Sequence, residues 1–243
     1  MRVSKQSQNF PENRLLAALP QHAYESLLPH LSPVQLVTGQ VLYEPFSPIL
    51  YGYFLNNSLI ACMSVTEQGA SVAVGFVGKE GMIGAAPLID ASLLPYRVIV
   101  QIAGSAMRIP CDILKDWFAT HNVTLHRAIL RFVYALFGQI VQTAVCNRFH
   151  LTEQRLACWL LFAHDRLDMD TLPITQEALA QMLGTDRASI TRTARKLREA
   201  GLLDYGRGKI TIRDQERLKL ASCECYHIVK SGYDDMPAIP GRV

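Results

Sequence analysis

The chain has 243 residues, of which 49% are hydrophobic and 19% charged, and its net charge is +3. That length suffices for one large domain or two ordinary ones, and the composition is that of a folded rather than a disordered chain. The small net charge excludes indiscriminate nucleic-acid binding by the whole surface, so any attraction to a polyanion has to be local.

No run approaches the roughly 20 consecutive apolar residues of a membrane span. The N-terminal stretch MRVSKQSQNFPENR is polar and lacks an apolar signal core. A cytoplasmic protein with no membrane partner is expected. The six cysteines (Cys62, Cys111, Cys146, Cys158, Cys223, Cys225) are scattered without CxxC spacing, and in a reducing compartment they read as small buried hydrophobes.

Residues 1–13 read as a loosely attached tail. In RLLAALPQHAYESLLPHL the leucines Leu15, Leu16, Leu19, Leu27, Leu28 and Leu31 recur at helical spacing, with Pro20 dividing two short helices. From Val34 to about Arg108, short β-branched runs such as SVAVGFVG and YRVIVQIAGSAMRIP alternate with Gly, Pro and Ser. Turns about ten residues apart predict an antiparallel sandwich or barrel of short strands.

After Pro110 the texture changes. From about Val123 to Arg148 there is no proline, and Leu125, Ile129, Phe132, Leu136, Ile140 and Ala144 recur at steps of three and four. That is the stripe of a long amphipathic helix, and it broadens onto Val133, Phe137 and Val141. So much apolar surface exceeds what one small sheet needs, which predicts a dimer helix. A second helix is expected from Thr152 to Leu167, and DMDTLPI is a loop or short strand.

The stretch from Thr175 to Ile212 carries the strongest signal. Thr175 can cap a helix whose first turn holds Gln176 and Glu177, and Gly184 can end it in the left-handed conformation. Asp186 or Thr185 caps the next helix, which stops at Gly201. Two short helices joined by a tight Gly turn form a helix-turn-helix. In that geometry the second helix enters the major groove of double-stranded DNA, with its N-terminal half against base edges. Arg187 and Arg192 flank an exposed side near Ala188 and Thr191, and arginine can bind guanine O6 and N7 with its planar fork. Ser189, Arg195 and Lys196 are better placed for phosphates, and Thr175 and Gln176 are further candidate DNA contacts. Downstream, LLDYGRGKITIRD reads as two strands around a tip carrying Arg207 and Lys209, a basic wing. CECYH (Cys223, Cys225, His227) offers soft ligands. In a helix, however, Cys-x-Cys spacing would turn the sulfurs to different faces, so ordinary packing and no metal site are expected.

Here the chain resembles the superfamily of the cyclic-AMP receptor protein and Fnr, dimeric bacterial transcription regulators. The resemblance rests on ITQEALAQMLGTDRASITRTARKLREAGLLDYGRGKITI and on the long helix and TEQRLACWLL before it. It implies an α+β chain: an N-terminal antiparallel β-roll like a cyclic-nucleotide-binding jelly roll, a long dimerisation helix and a C-terminal winged helix-turn-helix. The implied divisions are a flexible tail at 1–13, a β-roll sensor at 14–118, the dimer helix at 119–150, the winged helix at 151–225 and a tail at 226–243. The family's recognition pattern Arg-Glu-Thr-Val-x-Arg reads here Arg187-Ala188-Ser189-Ile190-Thr191-Arg192. Both arginines are kept, while Ala188 cannot accept from a cytosine amino group.

The effector positions depart from the cyclic-AMP-binding pattern. The segment matching the ribose-binding Gly-Glu is VGKEGMIG, with Lys79 at the Glu position and Glu80 after it. The phosphate-binding Arg-Ser becomes Tyr96-Arg97, and the adenine-binding Thr-Ser becomes Ile140-Val141. The resemblance thus makes Gly78, Glu80, Gly81, Met82, Ile83, Gly84, Arg97, Ile140 and Val141 the candidate effector pocket. No cofactor is established, and either an unknown small effector other than cyclic AMP or no effector at all is expected. The Fnr-type iron–sulfur cluster needs N-terminal cysteines, whereas the first here is Cys62. RNA polymerase is a further candidate partner. The alternative function is a β-roll sensor acting through protein partners with little sequence reading. An enzyme is not expected: the segment from Val34 to Arg108 has no histidine for a cupin-type metal site, and there is neither GxSxG nor a P-loop.

Overall fold

The computed structural model describes residues 11–91, 93–121 and 123–234. In chain order the elements are α1 Arg14–Ala17, α2 Gln21–Leu27, β1 Ser32–Leu36, β2 Val41–Tyr43, β3 Tyr51–Leu55, β4 Leu59–Val65, β5 Ser71–Val77 and β6 Met82–Ile83. Then follow β7 Arg97–Ile102, β8 Gly104–Pro110, α3 Cys111–His121, α4 Val123–Phe149 and α5 Thr152–Leu167. The C-terminal part holds β9 Thr171–Leu172, α6 Gln176–Leu183, α7 Arg187–Glu199, β10 Leu203–Gly206, β11 Lys209–Ile212, α8 Gln215–Ala221 and α9 Cys225–Asp234.

The first eight strands form two antiparallel four-stranded sheets, in the orders β1-β8-β3-β6 and β2-β7-β4-β5. Alternation sets the faces. Along β7, Val98, Val100 and Ile102 are buried while Arg97, Ile99 and Gln101 are only partly covered. β4 breaks that rule, because Leu59, Ile60, Ala61, Cys62 and Met63 are all buried. Ile60 packs into the core of the roll, whereas Leu59, Ala61 and Met63 join the core of the C-terminal domain with Leu156, Trp159 and Leu160 of α5. The ring of Phe76 on β5 meets Trp159 edge to face, centroids 6.0 Å apart. A strand that is apolar on both faces is the sequence consequence of being packed on both sides.

A third sheet, β10-β11-β9, forms the wing. Its hairpin turn is Arg207-Gly208, with φ of 51° and 74°. Two successive positive φ values match the twist of a two-residue hairpin loop.

Two expectations are corrected. The residues from Tyr226 onward are not a tail as far as Asp234. They form α9, whose Tyr226, Val229 and Tyr233 are buried at helical spacing. Their apolar period outweighs the Gly and Pro that follow, and only 235–243 lie outside the described residues. The expected N-terminal tail lies outside the described residues up to residue 10, but Asn13 is fully buried. Its side chain caps α1 through Leu15 N and Leu16 N and donates to the carbonyls of Leu55 and Gly81 at 2.7 and 2.8 Å. That satisfies both ends of the amide and ties the chain start to the roll.

One buried polar cluster joins the domains. Arg166, in the last turn of α5, donates from Nε to Glu80 Oε1 at 2.8 Å and from Nη2 to Gln139 Oε1 of α4 at 2.7 Å. Glu80 Oε1 also accepts from Gly78 N at 3.0 Å, and Tyr233 Oη of α9 donates to Gln139 Oε1 at 3.0 Å. Both members of the ion pair are nearly inaccessible, with side-chain exposures of 6% and 4%. Removing one partner of such a pair strands a buried charge. Arg166→Ala is therefore expected to lower unfolding free energy by about 3–5 kcal/mol in urea denaturation, whereas Glu80→Leu with Arg166→Met recovers most of the loss. A wild-type midpoint for Arg166→Ala would show that the pair holds nothing together.

Candidate nucleic-acid interface

The helix-turn-helix is built by caps and a turn. Thr175 Oγ1 accepts from Ala178 N at 3.1 Å, and Gly184, at φ 57°, ends α6 in the left-handed region. Asp186 then opens α7 by accepting from Ser189 N at 2.8 Å and from Ser189 Oγ at 2.6 Å. These hydrogen bonds to Ser189 hold the Asp186 carboxyl below its usual range. Ile190, Ala194 and Leu197 are buried beneath α7, so Arg187, Ala188, Thr191, Arg192, Arg195 and Lys196 face outward.

The exposed side is organised rather than loose. Ser189 Oγ, already donating to Asp186, accepts from Arg192 Nη2 at 2.8 Å, so the cap orients the guanidinium. Thr191 Oγ1 donates to Gln176 Oε1 at 2.8 Å and ties the start of α6 to the face of α7. Arg187 Nε stands 3.9 Å from Glu177 with 70% of its side chain exposed, a weak pair that a phosphate or base edge can replace. Arg195 and Lys196 have similarly loose pairs with Glu199 and Glu153, at 3.7 and 3.8 Å. Arg207 and Lys209 are exposed at the wing. All eleven sequence-predicted DNA residues thus lie on α6, α7, their caps or the wing.

The candidate effector residues do not form one site. A cavity of about 370 Å³ lies between the roll, α3 and α4. Of the expected residues, Met82, Ile83 and Gly84 line it. Gly78 and Glu80 belong to the buried ion-pair cluster, and Gly81 is occupied by packing: a Cβ there would lie 2.0 Å from Phe132 Cε2. Arg97 pairs with Glu44 Oε2 at 2.8 Å, a half-exposed surface bridge. Ile140 and Val141 are absent from the cavity wall, lying more than a turn beyond Leu136, the last α4 residue in it. Among the described residues the wall has no Arg, Lys, Asp or Glu. Its polar groups come from Cys62, Tyr96 and His126, and burial pushes the Cys62 thiol up to about 12. Such a wall has no charge to neutralise a phosphate and suits an apolar or weakly polar molecule.

The stripe on α4 also divides. Leu125, Ile129 and Phe132 are buried in the core, Leu136 and Ile140 are partly covered and approach Gly75 of β5, and Ala144 is exposed. The outward row is instead Leu130, Val133, Tyr134, Phe137, Val141 and Val145. The period is legible in the sequence, but it runs around a helix apolar on two faces, and the stripe it picks out is mostly the inner one. The segment Thr124–Phe149 is also long and apolar enough by length and composition to cross a membrane, contrary to expectation.

Cys223 and Cys225 correct another expectation. The chain is not helical between α8 and α9, where Ser222 is extended, so the two sulfurs turn to the same place. His227 is exposed and apart from them, and their neighbours are Cys146, Cys158 and His150. Only a tertiary contact between α4 and α9 reveals that grouping.

Comparison with known proteins agrees with this geometry. Residues 154–221 match the family model of the Crp-like helix-turn-helix domain. No curated protein matches the chain. FixK2 from Bradyrhizobium japonicum shares the fold with a TM-score of 0.68 at 16% identity, over 79% of this chain and 98% of its own. A CRP-family transcriptional regulator from Thermus thermophilus gives 0.63 at 15% identity, over 78% and 96%. The c-di-GMP-responsive global regulator CLP of Xanthomonas campestris gives 0.60 at 15% identity, over 80% and 100%. The chain carries a Crp-like helix-turn-helix domain on the fold of the Crp/Fnr transcription regulators.

Proposed function

We propose that the protein is a homodimeric, cytoplasmic transcription regulator that reads a near-palindromic operator in the major groove. The observation that carries this reading is the exposed N-terminal half of α7, where Asp186, Ser189 and Arg192 form one hydrogen-bonded chain that pre-orients a guanidinium. Arg187 and Arg192 read bases. Arg195, Lys196, Arg207 and Lys209 hold phosphates, Ser189 orients Arg192, and Thr175 and Gln176 stand at the adjoining helix start. Ala188 leaves one base pair without an acidic reader.

The dimer forms through the row from Leu130 to Val145 on α4, whose three- and four-residue steps are those of a helix–helix seam. A second copy covers this apolar face, which explains its exposure without a bilayer; Arg127 and Arg131 on the same helix also argue against a lipid setting. Leu130 and Val133 belong both to that row and to the cavity wall. An apolar effector in the cavity therefore touches the dimer helix directly, and it changes DNA affinity to the extent that it binds one arrangement of α4 more tightly than the other. RNA polymerase is the partner that a regulator acting by activation would contact.

Four outcomes are expected. Selection from a random DNA pool should return a palindrome with half-sites about 34 Å apart. Arg192→Ala should cost about 1–3 kcal/mol and relax one base pair per half-site. Wild type that enriches no motif, with or without cell extract, would favour the sensor acting through protein partners. Phe137→Glu should convert the dimer to monomer in light scattering and weaken operator binding by orders of magnitude, and an unchanged mass would place the dimer seam elsewhere. Saturating cyclic AMP should leave the thermal midpoint unmoved, because nothing charged in the cavity meets its phosphate; a clear upward shift would sink the apolar-effector reading.

A further inference from the structure

Cys146 and His150 stand one turn apart at the C-terminal end of α4, Cys223 lies in the α8–α9 link and Cys225 opens α9. One ligand atom from each lies within 4.8 Å of all the others. The Cys146 and Cys223 sulfurs are 3.6 Å apart, and Cys225 Sγ is 3.4 Å from His150 Nδ1. Around a tetrahedral zinc ion with Zn–S of about 2.3 Å and Zn–N of about 2.0 Å, the S···S and S···N edges are about 3.8 and about 3.5 Å. The observed edges are those of ligands around one ion, and too close for sulfurs spread over a multi-iron cluster.

We propose that Cys146, His150, Cys223 and Cys225 form a tetrahedral site for a single divalent ion of the zinc class, tying the end of α4 to the start of α9. The surroundings fit that use. Glu224 Oε1 lies 3.3 Å from His150 Nε2, so the carboxylate holds the proton on Nε2 and leaves the Nδ1 lone pair for the metal. This is the outer-shell arrangement that orients metal-bound histidines. Gln142 Nε2 lies 3.2 Å from Cys225 Sγ and donates to it. Cys158 Sγ, 3.3 Å from Cys223 Sγ, stands behind the site as a thiol donor to that sulfur. Arg155 shares the small cavity beside Cys146 and Cys225, and its buried Nε has no hydrogen-bond partner among the described residues. Three thiols release three protons to solvent as the ion binds. The three thiolates and the dication leave one negative charge, which Arg155 balances. The cysteines are buried, and the imidazole, with 12% of its side chain exposed, marks the entry path.

The test is cobalt titration of the reduced, full-length protein under anaerobic conditions, followed by zinc competition. One equivalent per chain should bind, with the intense visible bands of tetrahedral cobalt and a sulfur-to-metal charge-transfer band, and zinc should displace it. Losing an outer-shell partner costs roughly 10–100-fold in affinity, so Cys146→Ser, Cys225→Ser and His150→Ala should each lose at least about tenfold. Cys62→Ser should bind as wild type does, and Cys158→Ser, which lacks only the outer-shell thiol, should keep one equivalent at weakened affinity. X-ray absorption of the wild-type zinc protein, which needs no variant to fold, should count three sulfurs and one nitrogen. The proposal is overturned if the reduced protein takes up no tetrahedral cobalt, if Cys146→Ser and Cys225→Ser bind it as wild type does, or if the ion proves to have four sulfurs with Cys158 among them.

Discussion

The arrangement of this molecule turns on a buried ion pair that spans its domains. Glu80 lies between two strands of the roll, Arg166 ends the helix that opens the DNA-binding domain, and Gln139 and Tyr233 bring in the long helix and the C-terminal one. Burying both charges gains little net stability over an apolar pair of the same volume, since desolvation offsets most of the attraction. What it imposes is position. Glu80 Oε2 and Gln139 Nε2 already lack hydrogen-bond partners among the described residues, so a shift that broke another of these bonds would add to a cost the cluster already carries. A Cβ at Gly78 would come within 2.7 Å of Arg166, which leaves no room for a different approach of the two backbones. Residues that the family resemblance assigned to an effector serve here as the joint between sensor and reader.

That reassignment explains the character of the cavity. With Glu80 turned toward Arg166 and Arg97 toward Glu44, the polar groups that would meet a cyclic nucleotide are committed elsewhere. The wall is mostly Met, Ile, Leu, Val and Phe, with Cys62, Tyr96 and His126 among them, and it is closed on one side by α4. The same helix is therefore asked to do two apolar jobs. Its inner face, Leu125, Ile129 and Phe132, completes the core, and its outer face from Leu130 to Val145 is exposed.

Some of this was legible in the chain and some was not, for physical reasons. Caps, turns and short apolar periods are local, so α5, both helices of the helix-turn-helix and the wing follow from Thr175, Gly184, Asp186 and Gly208 with little ambiguity. The outward direction of Arg187 and Arg192 follows from the burial of Ile190 and Ala194 on the same helix. Which face of α4 is inside was not legible, because a helix apolar on two sides has no polar stripe to mark the outside. α9 was hidden by the Gly and Pro near it, although Tyr226, Val229 and Tyr233 keep a helical period. Contacts distant in sequence, such as Glu80 with Arg166 or Cys146 with Cys223, leave no spacing to read at all.

Those two distant contacts meet on the same element. Cys225 opens α9 beside Cys146 and His150, and Tyr233 lies near its other end against Gln139. α9 is thus fastened to α4 at two points on either side of Gln142. Between α4 and α5 the chain turns at Phe149 to Leu151, where two large apolar side chains are exposed and no helix continues. That bend is the hinge between the two helices, and Arg155 Nη2 of α5 crosses it to Asn147 Oδ1 of α4 at 2.8 Å. With α9 strapped along α4 and Tyr226 bonded to Asp165 of α5 at 2.9 Å, the hinge is bridged on its far side. A change in the angle between α4 and α7 would then strain the Gln139–Arg166 cluster or the cysteine cluster. An ion held by the second would raise the cost of that motion, and its loss would lower it. The metal site and the apolar cavity would in that case act on one coordinate from opposite ends of α4.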